Sequence, residues 1–540
     1  MFHASPTVDP AGQLLPFRQS LLAMLGIAFV AMLVALDQTI VGTAMPRIVA
    51  ELRGFDLYAW VATSYMLASV ITIPIFGRLG DLYGRKRFLL AATALFTVAS
   101  VLCGLANNML WLVIARGVQG IGGGILIGTI FASVADLFPD ARLRLRWLVF
   151  VSTAFGLSNI VGPSLGGLLT QYGDWRLVFF VNVPIGIVSF LFVQRYLPNV
   201  RHSRAGARVR LDWLGAIVIA LTFGALQLLI EFLPADGLTG TTSILAVIAF
   251  GGAITLWFWE KRMGYPIVPV DMLVDRKLAA LFAMSLLGGF GLFSLVFYVP
   301  LLFQGGYAMS PHDSGMLITP LVIGTTIGTV ANNRIVTRIR RANIIMYVGF
   351  ALFAAASLSV LLITGTAPHL VWMTCMLVSG LGLGLVAANL TIFSQQIVSR
   401  DNLGAATALL QSLRTFGGML GTAITGALLG QLYARGVHRS LDAYQATQWF
   451  KSFASPELLI DRKEQAALVG HLIDAGHAGD AMMDMARNAL VESIHAGLAI
   501  AAAAAVAGLC LAWFVPPVRL GRFATDDADE VAGSGVERGN

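Results

Sequence analysis

Apolar runs long enough to cross a lipid bilayer recur from near one end of this chain to the other, and no other feature narrows the possible folds so much. A helix needs about 20 predominantly apolar residues to span the hydrocarbon. Inside it, a helix satisfies its own backbone N–H and C=O groups, which water cannot reach. Fourteen candidate spans can be drawn, at residues 20–45, 58–77, 87–106, 109–135, 145–170, 177–197, 212–233, 242–260, 278–303, 314–337, 342–364, 369–396, 404–432 and 489–515. The expected fold class is all-α and polytopic. Of 540 residues, 57% are hydrophobic and only 12% charged, too few charges to coat a soluble chain of this length. The tail at 1–17 has no basic stretch and no small-residue cleavage site, so the first run reads as a retained helix and not a cleaved signal.

The loops between the runs give an orientation. One alternate set carries 21 Lys and Arg, including Arg78, Arg85, Lys86 and Arg87, the basic loop 198–211, and Arg334, Arg338, Arg340 and Arg341. The opposite short loops carry Arg47, Arg53 and Arg176, and the long loop 433–488 adds six basic residues against seven acids. A bias of 21 to 9 places the first set, and with it the tails 1–19 and 516–540, in the cytoplasm. The net charge of +7 therefore belongs to membrane orientation, not to nucleic-acid binding. In the long loop, "SPELLIDRKEQAALVGHLI" suggests a small helical hairpin, with Ser455 as N-cap and Pro456 at the first helical position. Cys103, Cys375 and Cys510 lie within apolar runs, form no CxxC pair, and read as small apolar fillers.

A charge inside a bilayer is costly, so ionisable residues within the spans are candidates for function. Asp37 lies eight residues from the outer end of the first span, ~12 Å deep at helical rise, and no Lys or Arg is within eight residues of it. Arg116 lies seven residues into the fourth span, ~10 Å deep, so the two neutralise each other if those spans are neighbours. Arg414 lies ten residues into the thirteenth span, ~15 Å deep. Each also has a structural reading, as a helix–helix bond or a bundle anchor. Glu231, near the outer end of the seventh span, reads as a snorkelling acid. Gln38, Asn159 and Asn389 are polar candidates for a substrate cavity beside Asp37 and Arg414, and each also reads as a helix–helix hydrogen bond.

The first basic loop, "GRLGDLYGRKR" at 77–87, has an order that a generic basic loop does not explain. Gly77 and Gly84 suit tight turns, and Asp81 can pair with Arg85 or Arg87 or with a helix N-terminus. This order resembles the G-x-L-x-D-x-x-G-R-K signature of the major facilitator superfamily at every position, through Gly77, Asp81, Gly84, Arg85 and Lys86. "LVIARGVQGIGGG" (112–124) is similar to that family's helix-4 motif, and "GLSNIVGPSLGG" (156–167) to its antiporter motif on helix 5. "LDQTIVGTAMP" and "WRLVFFVNVPIG" resemble the branch with fourteen helices, the drug:proton antiporters of the EmrB/QacA type. There are departures. Gly42 stands where the helix-1 motif commonly has asparagine, and the pseudo-repeat "NNRIVTRIRRAN" (332–343) has lost the acid.

The resemblance implies two six-helix bundles, at 20–197 and 278–515, with an inserted helix pair at 212–260. It implies proton coupling through Arg116 (to which the burial argument adds Asp37), a conformational gate at the 77–87 loop, and an antiporter motif built on Gly156, Gly162, Pro163, Gly166 and Gly167. Those glycines suit close helix approach, and Pro163 should loosen the span. Burial works against charging Asp37 and a neighbouring Arg116 works for it, which suits reversible proton exchange. The expected activity is proton-driven export of hydrophobic, often cationic, drugs or toxic compounds from a bacterial inner membrane, conferring antibiotic resistance. The partners are a small amphipathic substrate, protons and the lipid bilayer; no cofactor is needed beyond the proton gradient. A dedicated exporter of one metabolite, siderophore, fatty acid or lipid would use the same motifs. The 433–488 loop either meets a periplasmic adaptor or caps the cavity. The span-5 Gly-Pro pair argues against an uptake symporter, and the lack of charged rings argues against a channel. The triple glycine 122–124 lacks a following Lys-Ser/Thr, and no Walker motif occurs elsewhere. No Ser/His/Asp cluster, metal-ligand group or carboxylate pair suggests an enzyme.

Overall fold

The computed structural model describes residues 16–138, 141–198, 212–263, 270–336, 338–339, 343–398, 403–443, 446–475 and 477–515. Fourteen long helices follow in order: α1 (Phe17–Leu52), α2 (Tyr58–Tyr83), α3 (Arg85–Gly104), α4 (Met109–Leu137), α5 (Ala141–Tyr172), α6 (Leu177–Tyr196), α7 (Trp213–Asp236), α8 (Gly240–Arg262), α9 (Arg276–Leu301), α10 (Pro311–Ile335), α11 (Asn343–Val360), α12 (His369–Ile397), α13 (Leu403–Ala443) and α14 (Gly479–Leu511). There is no strand among the described residues. Thirteen of these helices are long and apolar enough to cross a membrane. The remaining one, α13, carries Gln411, Arg414, Thr415, Thr422 and Thr425. It packs among α2, α7, α9 and α14, where an apolar all-round surface is not required.

The helices form two bundles and a pair. In the first bundle α1 packs on α5 and α6, and α4 on α2 and α3. In the second, α12 packs on α10 and α11, and α14 joins α9, α11 and α13. Three seams join the bundles: α5 with α10, α2 with α13, and α1 with α9. Helices α7 and α8 pack on each other, and α7 reaches the α2–α13 seam. Helix α8 leaves Ile244, Val247, Phe250, Ile254 and Phe258 exposed, an apolar surface that suits lipid and not water.

Glycines set how closely the helices approach. On α5 they work in two directions. A Cβ on Gly162 would lie 1.9 Å from Thr39 Oγ1, and one on Gly166 would lie 2.3 Å from Thr43 Oγ1, so these two seat α5 on α1. Gly167 faces the other bundle, where a Cβ would lie 2.3 Å from the Pro311 carbonyl; Gly315 of α10 sits in turn against the Pro163 carbonyl. Gly156 faces Thr326 of α10 further along the seam. Helix α5 runs on through Pro163. Gly42, the departure on α1, packs against the Val296 carbonyl of α9 at a distance that no side chain would fit, 2.7 Å from a Cβ.

Among the described residues, the following hydrogen bonds between the bundles lie in the half away from the α2–α3 turn, here the distal half. Tyr58 Oη donates to the Phe297 carbonyl at 2.8 Å, and Gln304 Nε2 to the Thr43 carbonyl at 3.0 Å. The His312 amide donates to Gln171 Oε1 at 2.9 Å, and Ser164 and Thr319 share a hydroxyl bond of 2.6 Å. The half that carries the α2–α3 turn, the basic half, holds a cavity between α9, α12 and α13, lined in part by Gly288, Leu383, Leu390, Thr391, Gln411 and Arg414.

Several boundaries differ from the sequence expectation. Helix α1 runs seven residues past the expected end, to Leu52, because its last turns pack on neighbouring helices and need not be apolar all round. The 77–87 stretch is not an open connector. Helix α2 continues to Tyr83 and α3 starts at Arg85, leaving Gly84 alone between them at φ +88°, a conformation that favours glycine. Gly77 lies inside α2, not in a turn. The distal segment is shorter than 433–488, since α13 reaches Ala443 and α14 begins at Gly479. Its one longer helix, Arg462–Asp474, is capped by Asp461, whose Oδ1 accepts from the Lys463 amide at 2.9 Å. Ser455 precedes only the short turn Pro456–Leu459 and makes no side-chain cap. Of the cysteines, Cys103 and Cys375 are buried and Cys510 is exposed on α14, so it fills no interior space.

Candidate functional site

The residues of the site are placed by glycines on α4. A Cβ on Gly120 would lie 2.3 Å from the Tyr65 carbonyl, and one on Gly123 would meet the Tyr65 hydroxyl at 2.2 Å. Gly124 sits against Ser69 and Thr72, and Gly122 faces Ala92 and Phe96 of α3. The glycine run thus packs α4 against α2 on one side and α3 on the other. This brings the Tyr65 ring under the Arg116 guanidinium, with Cζ 4.4 Å from the ring centroid, within cation–π range.

Asp37 and Arg116 meet there. Arg116 Nη1 donates to Asp37 Oδ2 at 2.7 Å, with 2% of the arginine and none of the aspartate exposed. The pair is the centre of a network across five helices. Gln119 Nε2 donates to Asp37 Oδ1 at 2.8 Å and to Ser100 Oγ at 2.9 Å. Asn182 Nδ2 donates to Asp37 Oδ1 at 3.0 Å. Arg116 also donates through Nη1 to Gln119 Oε1 at 2.7 Å and through Nε to the Val61 carbonyl at 3.2 Å. Asp37 is surrounded by donors alone, the set that an ionised, acceptor-only carboxylate requires. A proton on it would find its acceptor by a turn of the Asn182 amide, whose Oδ1 has no partner here. Charge-assisted bonds of this length are the strong ones, and removing one partner of such a buried pair typically costs about 3–5 kcal/mol, because the other charge stays behind.

The remaining candidates are dispersed. Asp37 does not line the cavity in this conformation; the network encloses it. Asn389 does not line it either. It is fully buried and donates to Asn332 Oδ1 at 2.7 Å, a polar clasp between α12 and α10. Gln38 and Asn159 are half-buried on α1 and α5. Arg414 does line the cavity, and its backbone is pinned: a Cβ on Gly289 would lie 1.9 Å from the Arg414 carbonyl. Glu231 lies on α7, with one carboxylate oxygen buried. At the gate, Lys86 Nζ donates to the Gln194 carbonyl at 2.8 Å, tying α3 to α6. Arg85 lies across Gly80, while the side chain of Asp81 falls outside the described residues.

Gln119, Asn182 and Ser100 were not singled out from sequence. A signal existed for two of them. Gln119 is three residues after Arg116, on the same helix face, and Asn182 is the one amide in the run "VFFVNVPIG".

Two six-helix bundles with an inserted pair, a buried ion pair between helices and a cavity between helices define a polytopic membrane transporter. The chain belongs to the Major Facilitator Superfamily, whose model matches residues 27–422. Its sequence is 33% identical over 413 residues to multidrug resistance protein 3 of Bacillus subtilis, covering 75% of this chain and 78% of that one. It is 30% identical over 520 residues to the multidrug transporter protein MdtP of Bacillus subtilis, covering 92% and 93%. In fold it is similar to the inward-facing, unoccupied crystal structure of a bacterial homologue of the human lysosomal transporter Spinster, with a TM-score of 0.62 at 16% identity, over 93% of this chain and 98% of that one.

Proposed function

We propose that the chain is a proton-coupled antiporter that exports hydrophobic compounds across a bacterial cytoplasmic membrane by alternating access, with both termini inside. The observation that carries this reading is the enclosure of Asp37 by Arg116, Gln119 and Asn182, which donate to its carboxylate. In the conformation with the distal half closed, the acid has given up its proton. When the distal half opens, water reaches the site, Asp37 takes a proton, and Arg116 loses its need for the aspartate. Once the distal half has closed on the protonated acid, Arg116, Gln119 and Asn182 favour the carboxylate, and the proton leaves on the basic side, which gives the cycle a direction. The similarity to transporters named for multidrug resistance supports export and a hydrophobic cargo. The basic-loop bias supports the orientation. A membrane potential of about 150 mV supplies ~3.5 kcal/mol per proton, enough for a several-hundredfold gradient of a neutral solute.

The test is transport in proteoliposomes under an imposed pH gradient, with Asp37→Asn beside the wild type. The wild type accumulates a fluorescent hydrophobic dye against its gradient and the variant only equilibrates it. Uphill transport by the variant would overturn the assignment.

A further inference from the structure

The cavity between α9, α12 and α13 carries a charge that the proton-coupling network does not use. Among the described residues that line it, Arg414 is the one charged side chain. Arg116 has Asp37, Gln119, the Val61 carbonyl and the Tyr65 ring, whereas the Arg414 side chain makes no hydrogen bond, ion pair or ring contact among the described residues. Gln411, one turn earlier on the same face of α13, also has a side-chain amide with no partner among the described residues; its backbone carbonyl accepts from Thr415 Oγ1. The guanidinium keeps its charge at any physiological pH and offers a planar fork of donors that fits a carboxylate. Around it stand apolar side chains, Leu383, Val386, Leu390 and Leu410. The backbone beneath it is fixed by the close contact with Gly289, so the fork projects from a rigid point. The one acid near the helix interior on the other bundle, Asp37, is fully engaged and enclosed, so it offers nothing to a cation here.

We infer that this cavity binds amphipathic organic anions, with the anionic group paired to Arg414, assisted by the Gln411 amide, and the hydrocarbon part against the leucines. This names the charge class of the cargo and rests on the export reading above. It reverses the sequence expectation of mostly cationic substrates, which an unpaired arginine in the binding cavity repels. Charge balance follows directly. One monoanion leaving for one proton entering moves two positive charges inward, so the membrane potential drives both halves of the exchange. A monocation leaving for one proton would move none.

The test is equilibrium binding to the full-length protein in nanodiscs at pH 7.5, with no gradient, using three probes on one skeleton: 11-(dansylamino)undecanoic acid, its primary amide, and the matching dansyl undecylamine. The acid should bind at least tenfold more tightly than the amide or the amine. Arg414→Gln should equalise acid and amide while leaving amide binding intact, which shows that the variant folds, and Arg414→Lys should retain a preference for the acid. Amine binding equal to or tighter than acid binding in the wild type would overturn the inference without recourse to any variant, as would an acid preference that survives Arg414→Gln. The same measurements in phosphatidylcholine and in phosphatidylglycerol discs separate the two sources of an amphipathic anion. Equal affinity in both supports a transported solute; loss of acid binding in phosphatidylglycerol assigns the site to a lipid headgroup and overturns the cargo assignment. Because no gradient is applied, an acid preference without proton-driven transport would sink the coupling reading and leave this one standing.

Discussion

Replacing Asp37 with asparagine tests whether the buried charge pair holds the distal half closed. The substitution is nearly isosteric, so Gln119 and Asn182 retain an oxygen to donate to. Arg116 does not retain its counter-charge. It stays protonated, 2% exposed, and faces an amide where it had a carboxylate 2.7 Å away. An orphaned buried charge costs about 3–5 kcal/mol, which at 1.36 kcal/mol per decade is roughly 2.2 to 3.7 decades in a conformational equilibrium. That cost falls on the closed form, where water is excluded, and is relieved in a form with the distal half open and hydrated. The measurement is a distance distribution between spin labels at Asp174 and Leu362, exposed positions on distal loops of opposite bundles, in a background with Cys103, Cys375 and Cys510 changed to serine. The wild type at neutral pH should give a short distance, and Asp37→Asn a longer one. Adding Arg116→Gln to Asp37→Asn should return the short distance, since neither charge then remains. A closed population in Asp37→Asn equal to that of the wild type would refute the reasoning.

Two further outcomes are expected. Gly166→Leu, whose Cβ would meet Thr43 Oγ1 at 2.3 Å and the Ile40 carbonyl at 2.6 Å, should lower the melting temperature through overpacking of about 1–3 kcal/mol; Gly224→Leu, with nothing within 4 Å, should not, and equal melting of the two variants would contradict the packing account. Glu457→Ala removes the acceptor for the Gly54 and Phe55 amides, at 2.5 and 2.6 Å, so hydrogen exchange at 53–57 should accelerate by about tenfold or more, as the loss of bonds to a charged group implies; unchanged exchange would show that the distal segment is held elsewhere.

How much of this could be read from sequence depended on how rare each signal is in its surroundings. Ionisable residues stand out in apolar runs, so Asp37, Arg116 and Arg414 were visible, and depth along the helices put the first two at one level. Neutral polar residues do not stand out. Ser100, Gln119 and Asn182 became part of the site only once five helices were packed, and Asn389 turned from cavity candidate to helix clasp for the same reason. Apolar periodicity shows where a span lies but not where a helix stops outside the bilayer, so α1 and α13 ran long and Gly77 fell within a helix. Ser455 is the cap expected from sequence; Asp461, with Glu464 three residues on, is the one the helix uses.

The segment between α13 and α14 belongs by connectivity to the second bundle, yet Glu457 grips the turn after α1, Glu464 pairs with Arg53, and both partners belong to the first bundle. On the alternating-access reading proposed above, each turnover breaks and remakes this clasp. A nanobody that pressed the clasp into place would then jam the machine from its distal face, with no need to enter the membrane or compete with the cargo.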